Sequence, residues 1–82
     1  MNEMTVLLPF FVQKKAGATE LSIKAETVGG ALRKVEEVVG ITFALEQHLF
    51  FLNNRVLDRD SIESVAIEPG DKLRIMQPMA GG

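Results

Sequence analysis

The chain ends in Gly81-Gly82, and this dipeptide is the first candidate for chemistry. A Gly-Gly carboxylate has no side chain and its backbone is free in φ and ψ, so it can enter a channel too narrow for other residues. The pattern predicts that the carboxylate of Gly82 is the working group, at the end of a tail that also contains Met79 and Ala80. The alternative is a tail without a role, because chain termini are often small, polar and mobile.

Few other side chains suggest chemistry. His48 is the only histidine, and the chain has no cysteine to complete a metal site with it, so we expect a structural or surface role. Asp58, Asp60 and Glu63 are close in sequence and could form a carboxylate pair for acid–base catalysis. No nucleophile or apolar pocket is evident beside them, so we expect a solvated loop, no bound metal and no independent catalysis.

Composition narrows the classes of protein to consider. The 82 residues are enough for one domain. The absence of cysteine excludes disulfides and thiol nucleophiles and favours a cytoplasmic protein. A net charge of −2 argues against nucleic-acid binding, and no apolar run approaches the roughly 20 residues that a membrane span needs.

The N-terminal part of the chain alternates in the manner of a β-hairpin. Residues 4–12 predict a strand with apolar side chains on both faces, including Leu7 and Phe11 on the second face. Such a strand is either buried on both sides or partly covered by a partner. A loop containing Gly17 at positive φ connects it to a second predicted strand at residues 19–25.

A single helix is predicted next. Thr27 is a suitable N-cap, the apolar residues of 28–39 follow the spacing of one helical face, and Gly40 is a suitable left-handed C-cap. The pair Gly29-Gly30 lacks the glycine spacing and basic residue of a phosphate-binding loop. The two glycines either allow another backbone segment to approach this helix closely or have no specific role.

Three further strands are predicted, at residues 49–52, 55–57 and 72–77. Asn53-Asn54 tolerates the positive φ of a tight hairpin turn, and Pro69-Gly70 fits a type II turn. Pro78 ends the last strand because proline has no N–H for the ladder. One amphipathic helix and one sheet, in the order ββαβββ, make a two-layer α+β domain.

Four pieces of the sequence together resemble the ubiquitin-like sulfur carriers, a family that includes the small subunit of molybdopterin synthase (MoaD) and the thiamine-pathway carrier (ThiS). The pieces are Thr27-Val28, Phe51-Leu52-Asn53-Asn54, Glu68-Pro69-Gly70-Asp71 and the terminal Gly81-Gly82. The resemblance implies a β-grasp fold over residues 1–78, with the first and last strands adjacent at the centre of the sheet. Residues 79–82 are then a projecting tail.

The resemblance also implies a chemistry. An adenylyltransferase of the ubiquitin-activating type uses ATP to adenylate Gly82, and a sulfur donor then replaces AMP to give a C-terminal thiocarboxylate. The chain is a covalent carrier, not an enzyme, and binds no cofactor itself. The chain length and the sequence from Pro78 to Gly82 favour the molybdopterin-synthase type, whose partner is a larger catalytic subunit.

Outward-facing apolar residues are candidates for partner binding. The predicted patch consists of Leu7, Phe11, Met76 and one of Phe50 or Phe51. Arg74 and Arg55 are candidates for orienting charges, and Met79 for an anchor in a partner groove. The alternatives are coverage of the patch by a loop or burial in an oligomer.

Three other functions remain open from the sequence. The chain could carry sulfur for thiamine or another metabolite. It could be a ubiquitin-like modifier that is joined through Gly82 to lysines of other proteins. It could also be a structural β-grasp module in which Gly81-Gly82 is incidental.

Overall fold

A computed structural model describes residues 2–77, so the tail residues Pro78, Met79, Ala80, Gly81 and Gly82 lie outside the described residues. The five strands are β1 (Asn2–Leu7), β2 (Glu20–Ala25), β3 (Leu49–Leu52), β4 (Arg55–Val56) and β5 (Lys72–Met76). The two α-helices are α1 (Phe10–Ala16) and α2 (Val28–Val39), and two 3₁₀ turns cover Leu45–Gln47 and Ile62–Ser64.

The strands form one mixed sheet in the order β2-β1-β5-β3-β4. β1 and β5 are parallel neighbours, while the other three pairs are antiparallel. This arrangement confirms the predicted β-grasp architecture and the adjacency of the first and last strands. Strand β5 is paired with β1 on one edge and with β3 on the other.

Helix α2 has the predicted caps and supplies much of the core. The Thr27 hydroxyl accepts a hydrogen bond from the Gly30 N–H at 3.1 Å, and Gly40 ends the helix at φ 71°. The apolar face of α2 packs on the inner face of the sheet. Its fully buried members are Val28, Ala31 and Val35.

The predicted strand over residues 4–12 is wrong beyond Leu7. Pro9 has no N–H for a ladder bond, and its carbonyl instead accepts from Val12 and Gln13 N–H groups at 2.9 and 3.1 Å, which starts α1 at Phe10. Gly17 has the expected positive φ, but as the C-cap of this helix and not as a hairpin turn.

The two glycines at the start of α2 differ in their surroundings. A Cβ on Gly29 would lie 2.8 Å from the Glu63 carbonyl oxygen and 3.0 Å from its Cα, because α2 packs against the 3₁₀ turn Ile62–Ser64. A Cβ on Gly30 would meet nothing closer than Thr27 Oγ1, at 3.5 Å. The close approach left open by the sequence therefore exists at Gly29 and not at Gly30.

We therefore expect opposite effects from two neighbouring substitutions. Gly29→Ala should lower the free energy of unfolding by about 1–3 kcal/mol, because the backbone of Glu63 must shift. Gly30→Ala should raise it by about 0.4–1 kcal/mol, because alanine favours the helix and has room. Urea unfolding of the two variants measures both changes, and equal changes in stability would contradict the packing described here.

Candidate functional site

Strand β5 presents alternate residues to the two faces of the sheet, as predicted. Leu73 and Ile75 are buried on the helix side, while Lys72, Arg74 and Met76 are exposed on the other. Both α-helices described lie on the helix side, because α1 packs against α2 and adds Val12 to the same core. Strand β5 is therefore the centre of an open surface and also leads directly to the tail.

Strand register brings three predicted partner-binding residues into one row. Arg74 pairs with Leu7 of β1 on one side and with Phe51 of β3 on the other. Side chains that face each other directly across neighbouring strands lie in contact range. The guanidinium of Arg74 is thus flanked by an aliphatic and an aromatic side chain, each partly exposed.

The row belongs to a larger surface, which we call the open sheet face. Its apolar members are Leu7, Leu49, Phe51, Val56 and Met76, and its charged members are Lys72 and Arg74. Sequence reasoning missed Leu49 and Val56. The signal was present, because the tight turn at Asn53-Asn54 places residue 56 opposite Phe51.

The open sheet face also carries positive charge. Leu7, Phe51, Asn53, Asn54, Lys72 and Arg74 line a shallow cleft of about 290 Å³. Over residues 2–77 the only ion pair joins Arg33 and Glu63, at 2.6 Å. Lys72 and Arg74 therefore have no carboxylate partner within the described chain, and an approaching acidic side chain can pair with them.

Three other residues that were candidates for partner binding lie elsewhere. Phe50 is buried in the core, so the aromatic residue of the surface is Phe51. Arg55 pairs with the buried Leu52 and therefore belongs to the opposite face of the sheet. Phe11 lies on α1, because the strand that was expected to carry it ends at Leu7.

The change from strand to helix creates a second surface, which we call the α1 groove. It lies between α1 and the end of β5 and has a volume of about 410 Å³. It is lined by Leu8, Pro9, Phe10, Phe11, Ile75, Met76 and Gln77. The sequence pattern did not reveal this groove, because it predicted that the first strand continues to residue 12, where the structure has a helix.

Strand β5 is anchored at its start by the buried side chain of Asp71. The carboxylate accepts hydrogen bonds from Asn53 Nδ2 at 2.9 Å and from the Glu68 N–H at 2.8 Å. Asn53 Oδ1 in turn accepts from the Lys72 N–H at 2.9 Å, and the Asp71 carbonyl accepts from Thr5 N–H. One carboxylate therefore links the Pro69-Gly70 turn to the β3–β4 turn beside β5.

His48 has the structural surroundings that were predicted for it. Its side chain is only 6% exposed, and its Nδ1–H donates to the Ala44 carbonyl at 2.9 Å. The ring packs edge-on against Phe43 at 5.4 Å between centroids, with Phe11 and Phe50 also near it. His48 therefore fills the core beneath α1.

The acidic residues that suggested acid–base chemistry have other contacts. Asp58 Oδ1 accepts a hydrogen bond from the Asp60 N–H at 3.1 Å, which closes a turn, and Glu63 pairs with Arg33. No group of three potential metal ligands occurs within the part of the chain that is described. None of the helices described between residues 2 and 77 is long and apolar enough to cross a membrane.

Comparison with known proteins agrees with this architecture. The model described as the ThiS family matches residues 6–82, which include both terminal glycines. No curated protein matches the sequence of the chain.

Solved structures of several other proteins have the same fold. Small archaeal modifier protein 1 from Methanosarcina acetivorans is similar with a TM-score of 0.84 at 18% identity, over 100% of this chain and 98% of that one. A putative molybdopterin converting factor subunit 1 from Pyrococcus furiosus gives 0.74 at 13% identity, over 96% and 100%. The thiamine biosynthesis protein ThiS from Geobacter metallireducens gives 0.54 at 20% identity, over 96% and 100%.

Proposed function

Because the chain belongs to the ThiS family, we propose that it is a sulfur carrier whose Gly82 is adenylated and then converted to a thiocarboxylate. The observation that carries the proposal is the family match, which extends through Gly81-Gly82. The fold supports it, because the strand before the tail is held on both sides by β1 and β3. In this proposal the fixed strand holds the start of the tail in place, and the small terminal residue lets the carboxylate enter a narrow active site.

The proposed chemistry has two steps. A carboxylate is a poor acyl electrophile, so a Gly82 carboxylate oxygen first attacks the α-phosphate of ATP and releases pyrophosphate. A hydrosulfide-equivalent sulfur then attacks the carbonyl carbon of the acyl-adenylate, and AMP leaves. The product is a thiocarboxylate, whose sulfur is a softer and better nucleophile than the oxygen it replaces.

The chain contributes the reacting carboxylate and the docking surface in this scheme. The adenylyltransferase contributes ATP and the catalytic groups. Arg74 on the open sheet face offers a carboxylate-binding group between two apolar side chains, and such mixed surfaces direct the approach of a partner. The carrier itself then performs no catalysis.

Within the family, we propose the role of the small subunit of molybdopterin synthase, with a larger catalytic subunit as the acceptor of the tail. Support comes from the sequence Pro78-Met79-Ala80-Gly81-Gly82 and from the fold shared with the Pyrococcus furiosus protein. A second candidate is a protein modifier, favoured by the full-length likeness in fold to small archaeal modifier protein 1. That function predicts lysine-linked conjugates through Gly82.

Mass spectrometry tests the proposed function. The chain is incubated with the adenylyltransferase of its own organism, ATP and sulfide, and its intact mass is measured. The proposal predicts a gain equal to the replacement of one oxygen by one sulfur, dependent on ATP. If the mass of the chain stays unchanged while the same enzyme preparation modifies another carrier protein, the proposal is overturned. Lysine-linked conjugates without a thiocarboxylate would favour the modifier function.

Reversing the charge of Arg74 should weaken docking. Arg74→Glu places a negative charge where an acidic partner residue is expected, and like charges at an interface cost binding free energy. We expect the KM for the chain in the adenylation reaction to rise about tenfold or more. Arg55→Glu is the matched control, because Arg55 is exposed on the opposite face, and an equal effect of both substitutions would contradict docking through the open sheet face.

A further inference from the structure

Strand β2 lies at one edge of the sheet, and within the described chain it is paired only with β1. The Leu8 N–H donates to the Thr19 carbonyl at 3.0 Å. Hydrogen-bonded positions alternate along antiparallel strands, so Leu21 and Ile23 also direct their backbone groups towards β1. The three residues at the positions between direct their N–H and C=O groups away from the sheet: Glu20, Ser22 and Lys24.

One contact agrees with this outward direction. Lys34 of α2 donates a hydrogen bond from its Nζ to the Lys24 carbonyl. The carbonyl accepts this side chain because it is not used in the pairing with β1. An edge that presents a row of backbone donors and acceptors is a template for another strand.

The side chains of the same three residues share one face of the sheet. Glu20 lies opposite Leu7 of β1, which belongs to the open sheet face. Alternate residues of a strand point to the same side, so Ser22 and Lys24 lie on that face too. All three are exposed. Neither Glu20 nor Lys24 forms an ion pair within residues 2–77.

We propose that this edge of β2 pairs with the same edge of a second copy of the chain, antiparallel and centred on Ser22. In this register Glu20 lies opposite Lys24 of the second copy. Two-fold symmetry repeats the pair, so the edge is complementary to itself in charge. Opposite charges that face each other across antiparallel strands stabilise the pairing, and like charges oppose it.

The backbone fits the same register. It places the outward groups of residue 20 opposite those of residue 24, and those of residue 22 opposite their own counterparts, as hydrogen-bonded pairs require. A shift by one residue would place outward groups opposite inward ones, and a shift by two would separate the opposite charges. Lys34 must release the Lys24 carbonyl before the second copy can donate to it. This competition keeps the dimer weak.

The pairing joins the two five-stranded sheets into one. Residues opposed in an antiparallel pair point to the same side, so the open sheet faces of both copies lie side by side. Strand β5 is two strands from the edge, about 9–10 Å away. The open sheet face therefore stays uncovered, and the inference does not depend on the proposed function.

Charge reversal tests the register. In sedimentation equilibrium at low salt, the unsubstituted chain should dimerise with a Kd of about 0.1–1 mM. Glu20→Lys and Lys24→Glu each place like charges opposite each other twice, so each should raise the Kd at least about tenfold. An equimolar mixture of the two variants should dimerise like the unsubstituted chain, because every charge then meets its opposite.

Asp60→Lys is the matched control. It changes the net charge as Glu20→Lys does, but it is exposed in the turn that follows β4 at the far edge of the sheet. The control should dimerise like the unsubstituted chain, and urea unfolding checks that all variants stay folded.

Three results would overturn the inference. The first is an unsubstituted chain that is monomeric at about 1 mM. The second is a Glu20→Lys variant that dimerises as strongly as Asp60→Lys. The third is a mixture of Glu20→Lys and Lys24→Glu that stays monomeric. None of these measurements involves adenylation of Gly82, so the proposed function stands or fails separately.

Discussion

Deletion of Gly82 is expected to abolish ATP-dependent modification of the chain and to leave its folding intact. The deletion moves the terminal carboxylate back by about 3.3–3.6 Å along an extended tail. Reacting atoms must approach to about 3–3.5 Å, and a misplacement of about 1 Å can already cost a factor of about 100. We therefore expect the rate of adenylation to fall at least about 100-fold.

We expect the stability of the deletion variant to be unchanged, because the core described in residues 2–77 is kept whole. Urea unfolding and the adenylation rate are measured on the same preparation. Ala80→Ser is the matched control, because it alters the tail and keeps its length. A deletion variant that is modified as fast as this control would show that Gly82 is not the carrier position.

Replacement of Asp71 should have the largest effect on stability among the polar substitutions considered. Asp71→Ala removes two hydrogen bonds to a buried carboxylate and leaves Asn53 Nδ2 and the Glu68 N–H without their acceptor. Hydrogen bonds to charged groups contribute about 1.5–3 kcal/mol each. Both donors belong to exposed residues, so water can partly replace the lost acceptor. We expect the free energy of unfolding to fall by about 3 kcal/mol.

Glu68→Ala is the control for this experiment. Its side chain is exposed, and only its backbone N–H contacts Asp71, so the substitution keeps the hydrogen bond. Surface changes of this kind usually alter stability by less than about 0.5 kcal/mol. If urea unfolding gives similar losses for Asp71→Ala and Glu68→Ala, the carboxylate does not anchor β5.

Elements with strong local signals were predictable from the sequence. Helix α2 begins at the predicted cap, Thr27, and ends at Gly40, because cap side chains and a left-handed glycine act within one turn of the helix. The turn at Asn53-Asn54 has the expected positive φ at both residues. In these cases the residue type itself restricts the backbone, and tertiary packing did not override it.

The first helix was not predictable from periodicity. Val12 is buried both in the expected strand and in α1, so its apolar character does not distinguish the two. The deciding feature is Pro9, which ends the ladder and starts a helix whose seven residues are too few for a clear helical pattern. The α1 groove was missed for the same reason.

The relation between strands depends on contacts between distant residues. Periodicity showed which side chains of β5 face outward, but not that Arg74 lies between Leu7 and Phe51. Only the family resemblance indicated that β1 and β5 are neighbours. The cause of the Gly29-Gly30 pair was equally hidden, because the backbone that approaches Gly29 belongs to Glu63, far away in sequence.

The most direct test of the carrier function is the mass of the C-terminal tryptic peptide after incubation with adenylyltransferase, ATP and sulfide. Trypsin cleaves after Arg74, and residues 75–82 contain no further lysine or arginine. Oxidation of Met76 or Met79 adds nearly the same mass as sulfur exchange, so accurate mass and a reaction without ATP are both required. The account predicts ATP-dependent exchange of one oxygen for sulfur at Gly82. A peptide unchanged with ATP would contradict it.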